Sequence, residues 1–75
     1  MEEHQTVVLT RDDPDSGLKR GDIGAVVHIY AGGDAHEVEF VSGDGKTIAL
    51  LTLGKNDIRP IGNREILHVR EMAPA

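Results

Sequence analysis

The 75-residue sequence has no cysteine and no tryptophan, and its only Tyr and Phe residues are Tyr30 and Phe40. Without cysteine, neither a disulfide framework nor a thiolate zinc site can form. Two aromatic rings are too few for a base-stacking platform for single-stranded nucleic acid, or for an aromatic cage around a methylated lysine. These absences exclude several kinds of binding site.

Long apolar runs are also absent. The longest, at residues 48–53, has the length of a strand and is far shorter than the about 20 residues needed to cross a bilayer. The N-terminus lacks the basic start and apolar stretch of a signal peptide. We therefore expect a soluble, cytoplasmic protein with no membrane contact. Thirteen acidic and eight basic residues give a formal charge of −5, which repels phosphate backbones and anionic lipids.

The length allows one domain over residues 1–75, with a core at about residues 6–61 and a C-terminal extension at 62–75. Nine glycines and three prolines separate short β-branched runs, a pattern typical of strands joined by turns. We predict a helical turn at 54–57 and five strands, at 6–10, 23–30, 35–42, 46–53 and 58–61. This order predicts an all-β fold, a small SH3-like barrel of about five strands. Residues 63–72 fit either a short helix or a strand that packs on the barrel, and we predict a loose end at residues 72–75.

Two glycine-containing turns predict the register of the central strands. They set Tyr30 opposite Ala35 and Ser42 opposite Lys46. Continued from these pairs, the register predicts one inner apolar face, formed by Ala25, Val27, Val38, Phe40, Ile48 and Leu50.

The same register predicts a second apolar stripe on the opposite face, formed by Val26, Tyr30, Ala49, Leu51 and Leu53. Either the C-terminal extension covers this stripe through Ile66, Leu67 and Val69, or the stripe is exposed. An exposed apolar stripe usually marks a binding site, here for a protein partner or a second copy of the chain. A rim of acidic residues would favour a basic partner, through Asp34, Glu37 and Glu39.

No residue pattern indicates catalysis or a cofactor. Of the four histidines (His4, His28, His36 and His68), His28 and His36 are predicted on opposite faces, whereas zinc needs three or four converging ligands. His28 is instead predicted to lie across from Glu37 as an exposed cross-strand pair. The polar loop at 11–20 contains Asp12, Asp13 and Asp15, with Asp22 just beyond. Its only large apolar residue, Leu18, is predicted to anchor the loop on the barrel, and Asp22 could tie it there by accepting backbone N–H bonds. These carboxylates could bind a cation weakly, or accept backbone N–H groups of the loop. The sequence has no nucleophile elbow and no evident acid–base pair. We predict no metal, no cofactor and no enzymatic activity.

Several segments, taken in order, resemble a known family: Val7–Thr10, Gly21–Tyr30, Glu37–Phe40, Thr47–Leu53 and Asp57–Pro60. Over about residues 6–61 the chain resembles a bacterial family of small proteins known as domain of unknown function 4926. The resemblance implies an SH3-like barrel and brings no established activity, cofactor or catalytic residue. It also implies a role as an accessory or neutralising partner in small bacterial gene modules, including toxin–antitoxin-like ones. His36 departs from the family pattern, which tends to have an aromatic residue there.

Two functions fit these observations. The first is a non-enzymatic protein-interaction module, acting as an accessory or antitoxin-like partner. The alternative is a nucleic-acid-binding SH3-like module of the KOW type, because such barrels also carry Gly-Asp and Gly-x-Val patterns where a strand opens, as at residues 21–26. The negative net charge argues against nucleic acid as the partner.

Overall fold

Five antiparallel strands form one sheet in the computed structural model, which describes residues 1–72. In chain order the strands are β1 (Thr6–Leu9), β2 (Ile23–Ile29), β3 (Ala35–Val41), β4 (Thr47–Gly54) and β5 (Ile58–Pro60). Their spatial order is β4-β3-β2-β1-β5. The predicted all-β class and the five strands are confirmed. Within residues 1–72 the sheet is not closed into a barrel, because β4 and β5 remain its two edges.

The two central hairpins close as predicted. The Tyr30 N–H donates to the Ala35 carbonyl oxygen at 3.0 Å, and the Ser42 N–H donates to that of Lys46 at 2.8 Å. The second turn needs Gly45, whose φ of 83° lies in the left-handed region that side chains disfavour. Both turns therefore set the register next to them.

Farther from the turns, the predicted register is wrong because each hairpin contains a β-bulge. Val27 is an extra residue in β2, and Ile48 is an extra residue in β4. One extra residue turns every side chain beyond it to the opposite face of the sheet. Val38 consequently lies opposite Val26 and Leu51, whereas the predicted register set it opposite Val27 and Leu50.

The core lies on one face of the sheet, which we call the inner face. Its buried side chains are Val7, Leu9, Leu18, Val26, Val38, Phe40, Leu53 and Ile58. Gly24 lies among them at a close approach of strands, where an added Cβ would be 2.7 Å from Val38 Cγ1 and 2.9 Å from Phe40 Cε2. Leu18 is buried, which confirms that it anchors the polar loop to the sheet.

The polar loop after β1 is folded on itself. Asp13 and Leu18 exchange backbone hydrogen bonds of 2.8 and 3.1 Å, which close a turn that contains Gly17 with a φ of 78°. The Asp22 carboxylate accepts the Lys19 N–H at 2.8 Å, which confirms its predicted role in tying the loop to the sheet. The loop is therefore ordered by its own acidic side chains and its one buried leucine.

Residues 62–72, which we call the C-terminal segment, form neither the helix nor the strand considered from sequence. Ile66, Leu67 and Val69 are 91%, 65% and 91% exposed, so the prediction that they cover an apolar stripe is wrong. Met72, predicted to begin a loose end at 72–75, packs against the core, and the rest of that end lies outside the described residues. Residues 54–57, predicted as a helical turn, form a single turn closed by a hydrogen bond from the Asp57 N–H to the Gly54 oxygen. Among residues 1–72 we find no helix with the length and apolar character required to traverse a membrane.

Candidate functional site

The two edge strands of the sheet are protected to very different degrees. Strand β5 has three residues and carries Arg59 and Pro60. Short length, charge and proline are the features by which natural sheets discourage the pairing of a further strand. Strand β4 has eight residues, none of them charged and none proline, and only the bulge at Ile48 interrupts it. Among the described residues no further strand pairs with it, so its edge is open from Ala49 onward.

The hydrogen-bonding pattern shows which backbone groups of β4 point away from the sheet. Because the Ala35 carbonyl accepts the Tyr30 N–H, the backbone groups of Ala35 are directed toward β2. Directions alternate along an antiparallel strand, so those of Val38 are directed toward its β4 partner, Leu51. The neighbours of Leu51 then direct their N–H and C=O groups outward: Leu50 and Thr52.

Gly54 supports this assignment and marks one end of the open edge. It follows Thr52 in the same alternation, and its N–H donates to the Asp57 carboxylate at 3.0 Å instead of to β3. The chain thus caps the outward N–H of Gly54 itself. The bulge at Ile48 ends the regular edge on the other side. Leu50 and Thr52 lie between these two ends.

Strand β4 is uncharged, and apolar side chains lie on both of its faces. Leu50 is 53% exposed on the face away from the core, which we call the outer face. Ala49 and Leu51 lie on the inner face, where they pack against the core but are only half-buried. A near-continuous apolar run is typical of a strand covered on both sides, yet here it lies at the edge.

Two carboxylates lie beside β4 on the outer face. Glu37 accepts hydrogen bonds from the hydroxyls of Thr52 at 2.5 Å and Tyr30 at 3.4 Å. Glu39 accepts one from the hydroxyl of Thr47 at 2.6 Å. Within residues 1–72, no lysine, arginine or histidine nitrogen lies within 4.0 Å of either carboxylate. The outer face therefore presents two uncompensated negative charges next to the open edge.

The predicted partner surface is divided between the two faces of the sheet. Val26 and Leu53 are buried in the core and are not part of a surface, a correction that follows from the bulges. Ala49 and Leu51 are half-buried on the inner face. The other three lie on the outer face: Tyr30, Glu37 and Glu39. Tyr30 is exposed there, and its ring makes an edge-to-face contact with His28, with 4.8 Å between ring centroids.

Sequence reasoning missed the exposure of Leu50, which it placed on the inner face. The missed signal is the run at residues 48–51, which is apolar without the alternation of a half-buried strand. The pattern of such a strand does not predict which side chains face the core. It does not predict the position of a bulge either.

The C-terminal segment is attached near both ends by ion pairs. Arg59 donates to Glu65 through two bonds of 2.6 and 2.7 Å, and this guanidinium, with the Gly62 N–H, lowers the pKa of Glu65 to about 2. Arg70 pairs with Asp22 in the same two-pronged manner. Between the segment and the sheet lies a groove of about 460 Å³, whose lining includes Leu18, Ile23, Phe40, Ile48, His68 and Met72.

Two of the three acidic loop residues, Asp12 and Asp13, make hydrogen bonds within the protein, whereas Asp15 is exposed. The Asp12 carboxylate accepts the Arg20 N–H at 2.9 Å. The Ser16 hydroxyl donates to the Asp13 carboxylate, and this hydrogen bond lowers the pKa of Asp13. Across residues 1–72, no three histidine, aspartate or glutamate side chains converge as metal ligands.

The histidines have separate environments. His36 is buried in the core, and its Nδ1 atom has no hydrogen-bond partner in the part of the chain that the structure describes. His28 lies opposite Glu37 on the outer face, as predicted. His68 is exposed and lines the groove under the C-terminal segment.

The sequence of residues 3–60 matches the family described as domain of unknown function (DUF4926). The chain belongs to this family. The DUF4926 match includes all five strands, and thus β4 and its two neighbouring carboxylates, and it ends before the C-terminal segment. No curated protein and no solved structure shows significant similarity to the chain.

Proposed function

We propose that this DUF4926 protein is a non-enzymatic, cytoplasmic protein-interaction module, an accessory or antitoxin-like partner in a bacterial gene module. The observation that carries the proposal is the open edge of β4. This strand is uncharged, carries apolar side chains on both faces, and directs the backbone groups of Leu50 and Thr52 away from the sheet. Unpaired strand edges are templates for the addition of a strand from another chain, a common mode of peptide recognition.

The distribution of cations favours this proposal over the nucleic-acid alternative. Within residues 1–72, four of the eight basic side chains are paired with carboxylates: Arg11, Lys46, Arg59 and Arg70. The other four, Lys19, Arg20, Lys55 and Arg64, are exposed without an ion pair there, and none of them lies on β4. The open edge itself is flanked by Glu37 and Glu39, which would repel a phosphate backbone. A protein partner is the occupant that these charges permit.

The test is co-purification of the full-length, tagged protein from its native cells, followed by identification of the products of neighbouring genes. Leu50→Lys places a charge on the open edge and is expected to abolish recovery of the partner. Ile66→Lys is the matched control, since it makes the same kind of change at a side chain that is 91% exposed on the C-terminal segment. It is expected to leave recovery unchanged.

Two results would contradict the proposal. One is recovery of the wild-type chain alone, with no product of a neighbouring gene, at native expression level. The other is a partner that survives Leu50→Lys but is lost with Ile66→Lys, which would move the interface to the C-terminal segment. Circular dichroism of both variants checks that each retains the all-β fold.

A further inference from the structure

We infer that the open edge of β4 binds an extended, basic segment of the partner protein, which adds to the sheet as a sixth strand with lysine or arginine at alternate positions. This inference rests on the proposed function and names the chemical class of the partner. It follows from three properties of the edge: its backbone groups, the apolar side chains on its two faces and the charges beside it.

The backbone groups define a short template. Leu50 and Thr52 each offer an outward N–H and C=O, and the template ends where the Gly54 N–H is capped by Asp57. At its other end the bulge at Ile48 interrupts the regular spacing. An added strand would therefore pair along Ala49–Leu53, which is close to the usual length of a strand.

The two faces of β4 call for different side chains on the added strand. On the inner face, Ala49 and Leu51 are half-buried against the core, so apolar side chains beside them would complete their burial. On the outer face, Leu50 and Thr52 are exposed, and each lies opposite a glutamate of β3. Because side chains alternate along a strand, the added segment would place apolar side chains on the inner face and every second side chain on the outer face.

The outer-face positions favour cations. In register, Glu39 lies opposite Leu50 and Glu37 lies opposite Thr52. Strands are about 4.8 Å apart, so the added backbone would lie roughly 10 Å from that of β3. Lysine and arginine can span this gap, because their long side chains extend over β4 toward carboxylates that the Thr47 and Thr52 hydroxyls hold there.

A second copy of this chain fits the edge less well. Its β4 strand carries no cation, and the copy would add its own Glu37 and Glu39 to the same continuous outer face. Each chain also has a formal charge of −5. Like charges oppose association, whereas a basic segment neutralises the existing pair.

The experiment uses the ¹⁵N-labelled full-length protein and two blocked synthetic peptides, one alternating lysine and valine and the other alternating glutamate and valine. We expect the basic peptide to bind and to slow hydrogen exchange at the amides of Leu50 and Thr52, while the acidic peptide does not bind. The double variant Glu37→Gln, Glu39→Gln should weaken binding about three- to tenfold, since each partly exposed charge pair contributes a few-fold. The control double variant, Asp15→Asn with Glu71→Gln, removes two exposed charges elsewhere and should bind as the wild type does.

Leu50→Pro removes one outward N–H without removing a β3–β4 hydrogen bond, and should also prevent binding. If this variant does not fold, the charge variants and the exchange measurement still show whether the basic peptide binds at the β4 edge.

Three results would overturn the inference. They are equal binding of both peptides, protection of other amides while those of Leu50 and Thr52 stay unprotected, and binding of neither peptide. Self-association of the wild-type chain with both amides protected in the absence of peptide would also overturn it, in favour of a second copy. The proposed function fails separately, when no partner co-purifies; a retained partner that does not protect β4 refutes only the inference made here.

Discussion

Arg70 forms a two-pronged ion pair with Asp22, with 2.8 Å between Nε and Oδ1 and 2.5 Å between Nη2 and Oδ2. The same guanidinium donates to the Gly17 carbonyl oxygen at 3.2 Å. The hydrogen bond from Arg70 is the main cause of the lowered pKa of Asp22. One side chain thus joins the C-terminal segment to the loop after β1.

Replacing Arg70 by alanine should release this end of the C-terminal segment. We expect faster hydrogen exchange at residues 66–72, earlier proteolytic cleavage there, and only a small loss in the free energy of unfolding, since the pair is partly exposed to solvent. The control is Arg64→Ala, because Arg64 forms no ion pair within residues 1–72. Equal exchange rates in the two variants would show that the ion pair does not hold the segment.

Acidification should release the other attachment, between Arg59 and Glu65. The pKa of Glu65 is lowered from 4.5 to about 2, first by Arg59 and then by the Gly62 N–H. A lowered pKa in the folded state means that the stabilisation is fully present above pH 4.5 and is lost as the pH falls toward 2. The carboxyl ¹³C shift of Glu65 should titrate near 2 in the wild type and closer to the ordinary value in Arg59→Ala. An unchanged midpoint in the variant would exclude Arg59 as the cause.

Gly24 and Gly43 provide a matched pair for testing the packing of the core. A Cβ at Gly24 would lie 2.7 Å from Val38 Cγ1 and 3.0 Å from the Glu39 carbonyl oxygen. Gly24→Ala should therefore lower the free energy of unfolding by about 1–3 kcal/mol, the usual range for overpacking. A Cβ at Gly43 meets nothing within 4 Å, so Gly43→Ala should be neutral or stabilising by up to about 1 kcal/mol. Urea denaturation of both variants measures the difference, and equal values would refute the close approach at Gly24.

Replacing His36 by leucine should stabilise the protein. The His36 ring is buried, and its Nδ1 has no partner in the part of the chain described. Because an unsatisfied buried polar group costs about 1–3 kcal/mol, His36→Leu is expected to raise the free energy of unfolding by about 1 kcal/mol. The control is His28→Leu on the exposed outer face, where the change should be small. A lower stability for His36→Leu than for the wild type would mean that the ring nitrogen is hydrogen-bonded in solution.

Near the turns, local sequence was sufficient to predict the register. Glycines with positive φ close both central hairpins, and the pairs Tyr30–Ala35 and Ser42–Lys46 follow from loop length alone. The predicted opposition of His28 and Glu37 is also correct, because it lies between the turn and the bulge at Val27. The prediction fails beyond the bulges, since neither Val27 nor Ile48 differs in type from its neighbours.

The amino-acid sequence by itself determined that this chain is all-β, where its five strands lie, and that β4 is an uncharged, apolar strand. These properties depend on neighbouring residues: β-branched runs, glycine turns and the absence of charge. Only the tertiary structure decided which residues are buried and which are exposed. One extra residue in β2 and one in β4 exchange the two faces, so Val26 and Leu53 enter the core while Leu50 becomes exposed. The physical reason is that a bulge depends on how two strands pair with each other along their length, and the residues at Val27 and Ile48 carry no local pattern that records this pairing.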